Sequence, residues 1–180
     1  MNISRKNYGL AVGAVIAALY VVLTYAQEMI FPNSTSMAVQ FRLSEAMMIL
    51  CVFTPYAIPG LTVGCILTNL ITVGVLPTDI ILGSLATLFA GLCMYKTRRI
   101  TFKGLPLLAA LMPAIFNGII IGAQIEVFYI EGPFNFLSFM TQAGLVALGE
   151  FVVLFTLGLL LAKTIKNKKI EKYLNSICFF

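Results

Sequence analysis

The chain has 180 residues, 60% of them hydrophobic and 11% charged, with 12 basic against 7 acidic side chains. Soluble domains carry about 25% charged residues, so this composition excludes a disordered chain and argues against a soluble enzyme. Histidine is absent, which removes Ser-His-Asp catalysis, H-E-x-x-H zinc chemistry and imidazole ligation of haem.

The first apolar stretch, Tyr8–Ala26, is uncharged and ends at Gln27-Glu28; it is long enough for a membrane span. It is also too long for a signal-peptide core, and no small-x-small cleavage site follows it. Within it Gly9, Gly13 and Ala17 recur every fourth residue, as do Ala14 and Ala18. Small residues at that spacing admit a close helix, either internal or from another subunit.

From Ala46 to Thr78 no residue is charged, a run too long for one span and short for two. Pro55 and Pro59-Gly60 divide it, because proline ends helices and glycine permits the turn. The predicted helices are Ala38–Phe53 and Tyr56–Val73, followed by Thr78–Tyr95, Leu105–Phe128 and Phe136–Ala162. The expected fold is therefore an all-α integral membrane protein with six transmembrane helices, residues 1–180 forming a single domain. Eleven of the twelve basic residues fall in three clusters: Arg5 and Lys6; Lys96, Arg98, Arg99 and Lys103; Lys163, Lys166, Lys168, Lys169 and Lys172. Six spans put all three on one side, so the positive-inside rule places both the N- and C-termini in the cytoplasm. The expected location is the cell membrane, with multiple passes. The basic tail reads as orientation and attraction to anionic lipid, not as nucleic-acid binding. No internal repeat supports an inverted-repeat transporter.

Each scarce polar residue takes a depth from its place in its helix, at about 1.5 Å per residue. Arg42 and Glu45 lie in the outer turns of the second helix, spaced i, i+3, so that Arg42 neutralises Glu45 most simply. Asn69 sits about one turn below the outer surface, and Thr78 and Asp79 read as an N-terminal cap. Asn117 is near the midplane, with Gln124 two turns further out on the same face. Glu126 is on the opposite face and reads as interfacial. Gln142 lies in the outer part of the sixth helix and Glu150 near the midplane. An ionised residue at a helix centre costs about 2.5–3.5 kcal/mol on the insertion scale. Glu150 has no obvious protein partner, so either it is protonated or a ligand brings donors to it. The plain alternative is that these groups only glue helices together. A cluster drawn from four helices, open to the outside, reads rather as a binding cup, with Tyr25, Phe31, Phe41, Phe128, Tyr129, Phe134 and Phe136 around its rim. No Gly-Lys pair forms a phosphate loop. Cys51, Cys65, Cys93 and Cys178 lack C-x-x-C spacing and read as packing residues. Neither a nucleophile–base pair nor a metal-ligand spacing is present, so no catalytic residue, metal or cofactor is expected.

Six helices, an outward cup, a small-residue first helix and no ATPase motif resemble the substrate-binding S component of energy-coupling factor (ECF) transporters. Within that group the chain resembles the QueT family of queuosine-precursor transporters over nearly its full length. The likeness is strongest at Ala14–Tyr20 (AVIAALY), Val39–Asn69 (VQFRLSEAMMILCVFTPYAIPGLTVGCILTN), Asp79–Leu92 (DIILGSLATLFAGL) and Leu148-Gly149-Glu150. The chain departs from the family in the loop Gln27–Val39. The resemblance implies capture of a 7-deazaguanine base and docking on a shared transmembrane coupling subunit that carries two ATPases, with Ala14-x-x-x-Ala18 matching the docking element. A deazaguanine edge offers adjacent N–H donors that one carboxylate accepts in a bidentate pair. The base so implied is queuine or its aminomethyl precursor, and an aminomethyl group adds a cation that needs a second acidic or π partner. Glu45 and Glu150 are the candidates for the two ends of the ligand, either one at either end. Asn117, Gln124 and Gln142 read the remaining edges, Asn69 lines the cup, and Arg42 orients Glu45 or ties down the loop. Two alternatives stay open: a stand-alone proton-coupled permease for a small planar solute, using Glu150, or another vitamin-specific S component.

Overall fold

The computed structural model describes residues 3–32, 41–72 and 76–167. Every element among them is a helix. The start of the second predicted helix at Ala38, loop residues 33–39, Val73, Lys168, Lys169, Lys172 and Cys178 lie outside the described residues.

The first helix, α1, spans Ile3–Ile30. Its residues four apart bury one face, with Val12, Ile16, Tyr20 and Thr24 inside and Leu10, Val15, Leu19 and Val22 outside. The outward apolar surface is of the kind that lipid covers. The second element, Leu43–Val52, is a 3-10 helix rather than the expected α-helix. At about 2.0 Å per residue it reaches about 20 Å with ten residues, a third further than an α-helix would. Side chains three apart eclipse in this geometry. Glu45, Met48 and Cys51 therefore form one ridge, and all three are buried.

Past Pro55 the chain turns into α2, Ala57–Ile71. Then come α3, Pro77–Thr97, and α4, Leu107–Phe128. The last rod is α5, Phe136–Val153, a π-helical turn, Leu154–Gly158, and α6, Leu159–Ile165. These three run on as one apolar helix, Phe136–Ile165. All six predicted helices are thus present, but four are long and apolar enough to cross a bilayer: Asn7–Ile30, Pro77–Thr97, Leu107–Phe128 and Phe136–Ile165. The 3-10 helix and α2, at 10 and 15 residues, fall short of the roughly 20 that a span needs.

Helices adjacent in sequence pack on each other, and the 3-10 helix touches every other element. Met48, Ile49 and Cys51 are completely inaccessible, and Glu45 is carried to the centre of the bundle with them. The small residues of α1 divide between two faces. Gly9, Gly13 and Ala17 turn inward, while Ala14 and Ala18 stay exposed. At the α1–α2 crossing a Cβ on Gly60 would stand 2.6 Å from the Gly13 carbonyl oxygen, so only glycine permits this approach. At one end of the bundle the Lys166 Nζ donates to the Gly104 carbonyl oxygen at 2.6 Å. The basic loop after α3 and the basic end of the last helix therefore share that end.

Candidate binding site

A polar cavity of about 40 Å³ lies between the helices. Arg42 and Glu45 enter it from the 3-10 segment, and Cys65 and Asn69 from α2. Asp79, Gly83 and Thr87 come from α3, Asn117, Ile121 and Gln124 from α4, and Glu150 from α5. Arg42, Glu45, Asn69, Asn117, Gln124 and Glu150, all singled out from the sequence, converge here. Gln142 is not part of the lining and is only half-buried. It lies eight residues before Glu150, which turns it about 80° round α5 from the cavity-facing side. Depth alone did not reveal that rotation.

Of the expected cap pair, Thr78 Oγ1 is buried without a partner, while Asp79 is both a cap and a wall. Its carboxylate accepts from the Leu76 N–H at 2.6 Å, as a capping box does, and it also lines the cavity. The available signal was the small and polar face of α3: Asp79, Gly83 and Thr87 are spaced four apart and line the cavity together.

Within the cavity several polar atoms are buried without a partner. Glu150 Oε1 accepts from Asn117 Nδ2 at 2.6 Å, while its Oε2 has none. Glu45 Oε1 accepts from the Tyr20 hydroxyl, and its Oε2 has none. Gln124 donates through Nε2 to Asp79 Oδ1, and its Oε1 has no partner; neither has Arg42 Nε. Each such group costs about 1–3 kcal/mol, and more when charged. The expected Arg42–Glu45 contact is replaced by the Tyr20 bond. Arg42 has an extended backbone ahead of the helix (φ −102°, ψ 106°), so helical i, i+3 proximity does not apply to it. Its guanidinium acts on both Glu45 and Glu150 electrostatically.

The positioning of Glu45 depends on a polar face of α1 that the sequence reading left out. Tyr20, Thr24 and Gln27 share one helical face. Thr24 Oγ1 donates to Ser44 Oγ at 2.8 Å. Gln27 accepts from the Leu43 N–H at 2.7 Å and donates to the Phe41 carbonyl. This polar stripe in an apolar helix was the legible signal.

Away from the basic end, Asp79 joins three helices. Asn69 Nδ2 donates to its carbonyl at 3.1 Å, and the Tyr129 hydroxyl donates to its carboxylate. Burial first, then the bond to Asp79, pushes the Tyr129 phenol up to about 12, so it remains a donor at neutral pH. Of the aromatic residues expected around the rim, Phe31, Phe128, Phe134 and Phe136 are exposed and Phe41 is at the border of exposure; none of them lines the cavity. The Tyr25 hydroxyl is instead buried.

Glu126 corrects another expectation. It is 3% exposed, accepting from the Asn135 N–H at 2.9 Å and from the Ser138 hydroxyl. Asn135 in turn caps α5 at the Leu137 N–H, 2.9 Å. Glu126 fastens the start of α5 and does not line the cavity. Glu126→Gln is expected to lower the melting temperature, by loss of charge-assisted bonds of about 1.5–3 kcal/mol, while ligand affinity stays within threefold. Calorimetry and titration of the variant check both parts.

A separate apolar groove of about 400 Å³ runs between α1 and α2, lined in part by Leu10, Ala14, Ala17, Tyr56, Pro59 and Val63. Ala18 is exposed but lies outside this lining.

Comparison with known proteins gives the chain's relatives. The model of a family described as "QueT transporter" matches residues 10–167. A protein named "Queuosine precursor transporter QueT", from Lactococcus lactis subsp. cremoris (strain MG1363), is 31% identical over 157 residues, covering 83% of this chain and 88% of that protein. No solved structure matches the chain.

Proposed function

The chain belongs to the QueT transporter family, and on that premise we propose that it is the membrane-embedded substrate-binding subunit for uptake of a queuosine precursor, a 7-deazaguanine base. It is a multi-pass membrane protein of a transporter family, not an enzyme. The observation that carries the substrate reading is the set of buried, unpartnered atoms: Glu45 Oε2, Glu150 Oε2, Gln124 Oε1 and Arg42 Nε. Three acceptors and one donor match a ligand that carries several N–H groups and one carbonyl. Ligand pockets hold about 300–1,000 Å³, against the 40 Å³ between the side chains here. Admitting a bicyclic base therefore requires the cavity side chains to draw apart and close around it.

The same reading gives the chain, as one domain, six membrane-crossing helices with both termini cytoplasmic. The adjacency of Lys166 to the loop after α3 supports a common side for those basic clusters. Energy comes from an ECF module, a transmembrane coupling subunit with two ATPases, docked on the α1 face. The exposure of Ala14 and Ala18 and the apolar groove beside Ala14 support that docking. Ala14→Leu combined with Ala18→Leu is expected to cut uptake at least tenfold and leave ligand binding by the purified chain unchanged. Uptake at the unmodified rate would remove the docking assignment.

Mass spectrometry of the small molecule that co-purifies with the full chain tests the function. A deazaguanine mass supports the reading, and a ligand of another class overturns it. Uptake that follows a pH gradient with no partner subunit present would favour the proton-coupled permease.

A further inference from the structure

Two amides on α4, Asn117 and Gln124, are seven residues apart, which places them on one face about 10 Å from each other along the axis. Each donates to a carboxylate from a different helix: Asn117 to Glu150 of α5, Gln124 to Asp79 of α3. The cavity therefore has two tiers. The inner tier contains Glu150, with Glu45 and Arg42 near enough to act on it electrostatically. Asp79 makes its bonds to α2, α4 and the turn before α3, and it forms the outer tier with Gln124. Arg42 is the one cation among the lining residues, so the inner tier has a positive partner and the outer tier has none.

We propose that Asp79 and Gln124 form a specificity site for a cationic side arm on the substrate, the inner tier reading the flat base. The proposal rests on the reading of the chain as a queuosine-precursor transporter and goes beyond it by choosing among precursors. Gln124 is 2% exposed, and because its Nε2 is committed to Asp79, its unpartnered Oε1 stands beside that carboxylate. An ammonium group carries three N–H donors and no acceptor. It satisfies Gln124 Oε1 and the Asp79 carboxylate together. A nitrile in the same place has no donor and leaves Oε1 buried and unpaired. In a deazaguanine with an aminomethyl arm, the N–H-rich pyrimidine edge and the amine lie at opposite ends of the bicycle. That arrangement suits acceptors separated by two helical turns. The base then bonds to Glu150 and Glu45, and the amine points outward to Asp79. Tyr129, whose hydroxyl holds Asp79 at a half-exposed position, competes with the amine for the same carboxylate.

The test is equilibrium binding to the purified full chain, without nucleotide, of three probes that share one base: 7-aminomethyl-7-deazaguanine, its N-acetylated form and 7-cyano-7-deazaguanine. The amine is expected to bind about 10–100-fold more tightly than either neutral probe, the worth of one charge-assisted hydrogen bond. Asp79→Asn is expected to abolish that preference, lowering affinity for the amine at least tenfold more than affinity for the neutral probes. Equal binding of all three probes to the unmodified chain overturns the proposal and leaves the functional reading standing. Failure of every probe to bind overturns both. A preference that survives in Asp79→Asn, or an equal loss for all probes, also overturns the assignment to Asp79. Because Asp79 also caps α3, Tyr129→Phe is the second variant. It removes a competing donor and leaves the cap in place, so amine affinity is expected to rise and neutral affinity to stay constant. A parallel shift for all probes, or no shift, overturns the proposal.

Discussion

Glu150→Gln is expected to weaken binding of a deazaguanine base by about 100-fold or more, measured by titration of the purified chain. Glu150 is 7% exposed, with one carboxylate oxygen held by Asn117 and the other buried without a partner. That arrangement is costly in the free protein and is satisfied by a ligand donor. A carboxamide keeps the volume but loses the charge, and it presents an N–H₂ group where an acceptor is needed. Two charge-assisted bonds at about 1.5–3 kcal/mol each set the size of the loss. Asn117→Ala, which frees the second oxygen but keeps the charge, is expected to cost less. Unchanged affinity in Glu150→Gln would remove Glu150 from the site.

Gly60→Ala has the second large effect, and it is on stability. The added methyl would meet the Gly13 carbonyl oxygen at 2.6 Å and the Gly13 Cα at 3.1 Å. Both are backbone atoms and cannot rotate away. The helices must separate, which undoes the contact that association in a membrane depends on, since there is no hydrophobic drive between helices in lipid. Overpacking of this kind costs about 1–3 kcal/mol, so a melting temperature lower by about 3–10 °C is expected. Gly144→Ala, also inside a helix, is the control, because a Cβ there meets nothing within 4 Å; its melting temperature is expected to hold or rise slightly, since alanine is the better helix former by about 1 kcal/mol. Equal melting of Gly60→Ala and the unmodified chain would show that the α1–α2 crossing is slack.

The structural result at α1 separates what repetition alone had merged. Two small-residue series stand one residue out of register, and both satisfy the same spacing rule. Packing against α2 takes Gly9, Gly13 and Ala17 and leaves Ala14 and Ala18 outside. The helix break at Pro55 was readable from residue chemistry, since proline acts locally; Pro59 and Gly60, expected to share in it, lie inside α2. The 3-10 geometry of Leu43–Val52, a segment that touches every other element, was not readable. Nothing within its own ten residues demands it.

By itself the amino-acid sequence determined the class of protein, the number of helical segments and the place of each polar side chain along its helix. Those properties depend on hydropathy, on helix breakers and on a constant rise per residue, all of them local. Only the tertiary structure decided which polar groups meet. Gln142 has a suitable depth and the wrong rotation, whereas Asp79 has a sufficient local role and a second one across the cavity. The Tyr20–Glu45 bond replaces the expected Arg42–Glu45 contact. Rotation about each helix axis and the crossing of one helix over another are settled by packing between distant residues. A single strand of sequence does not contain that information until the helices are brought together.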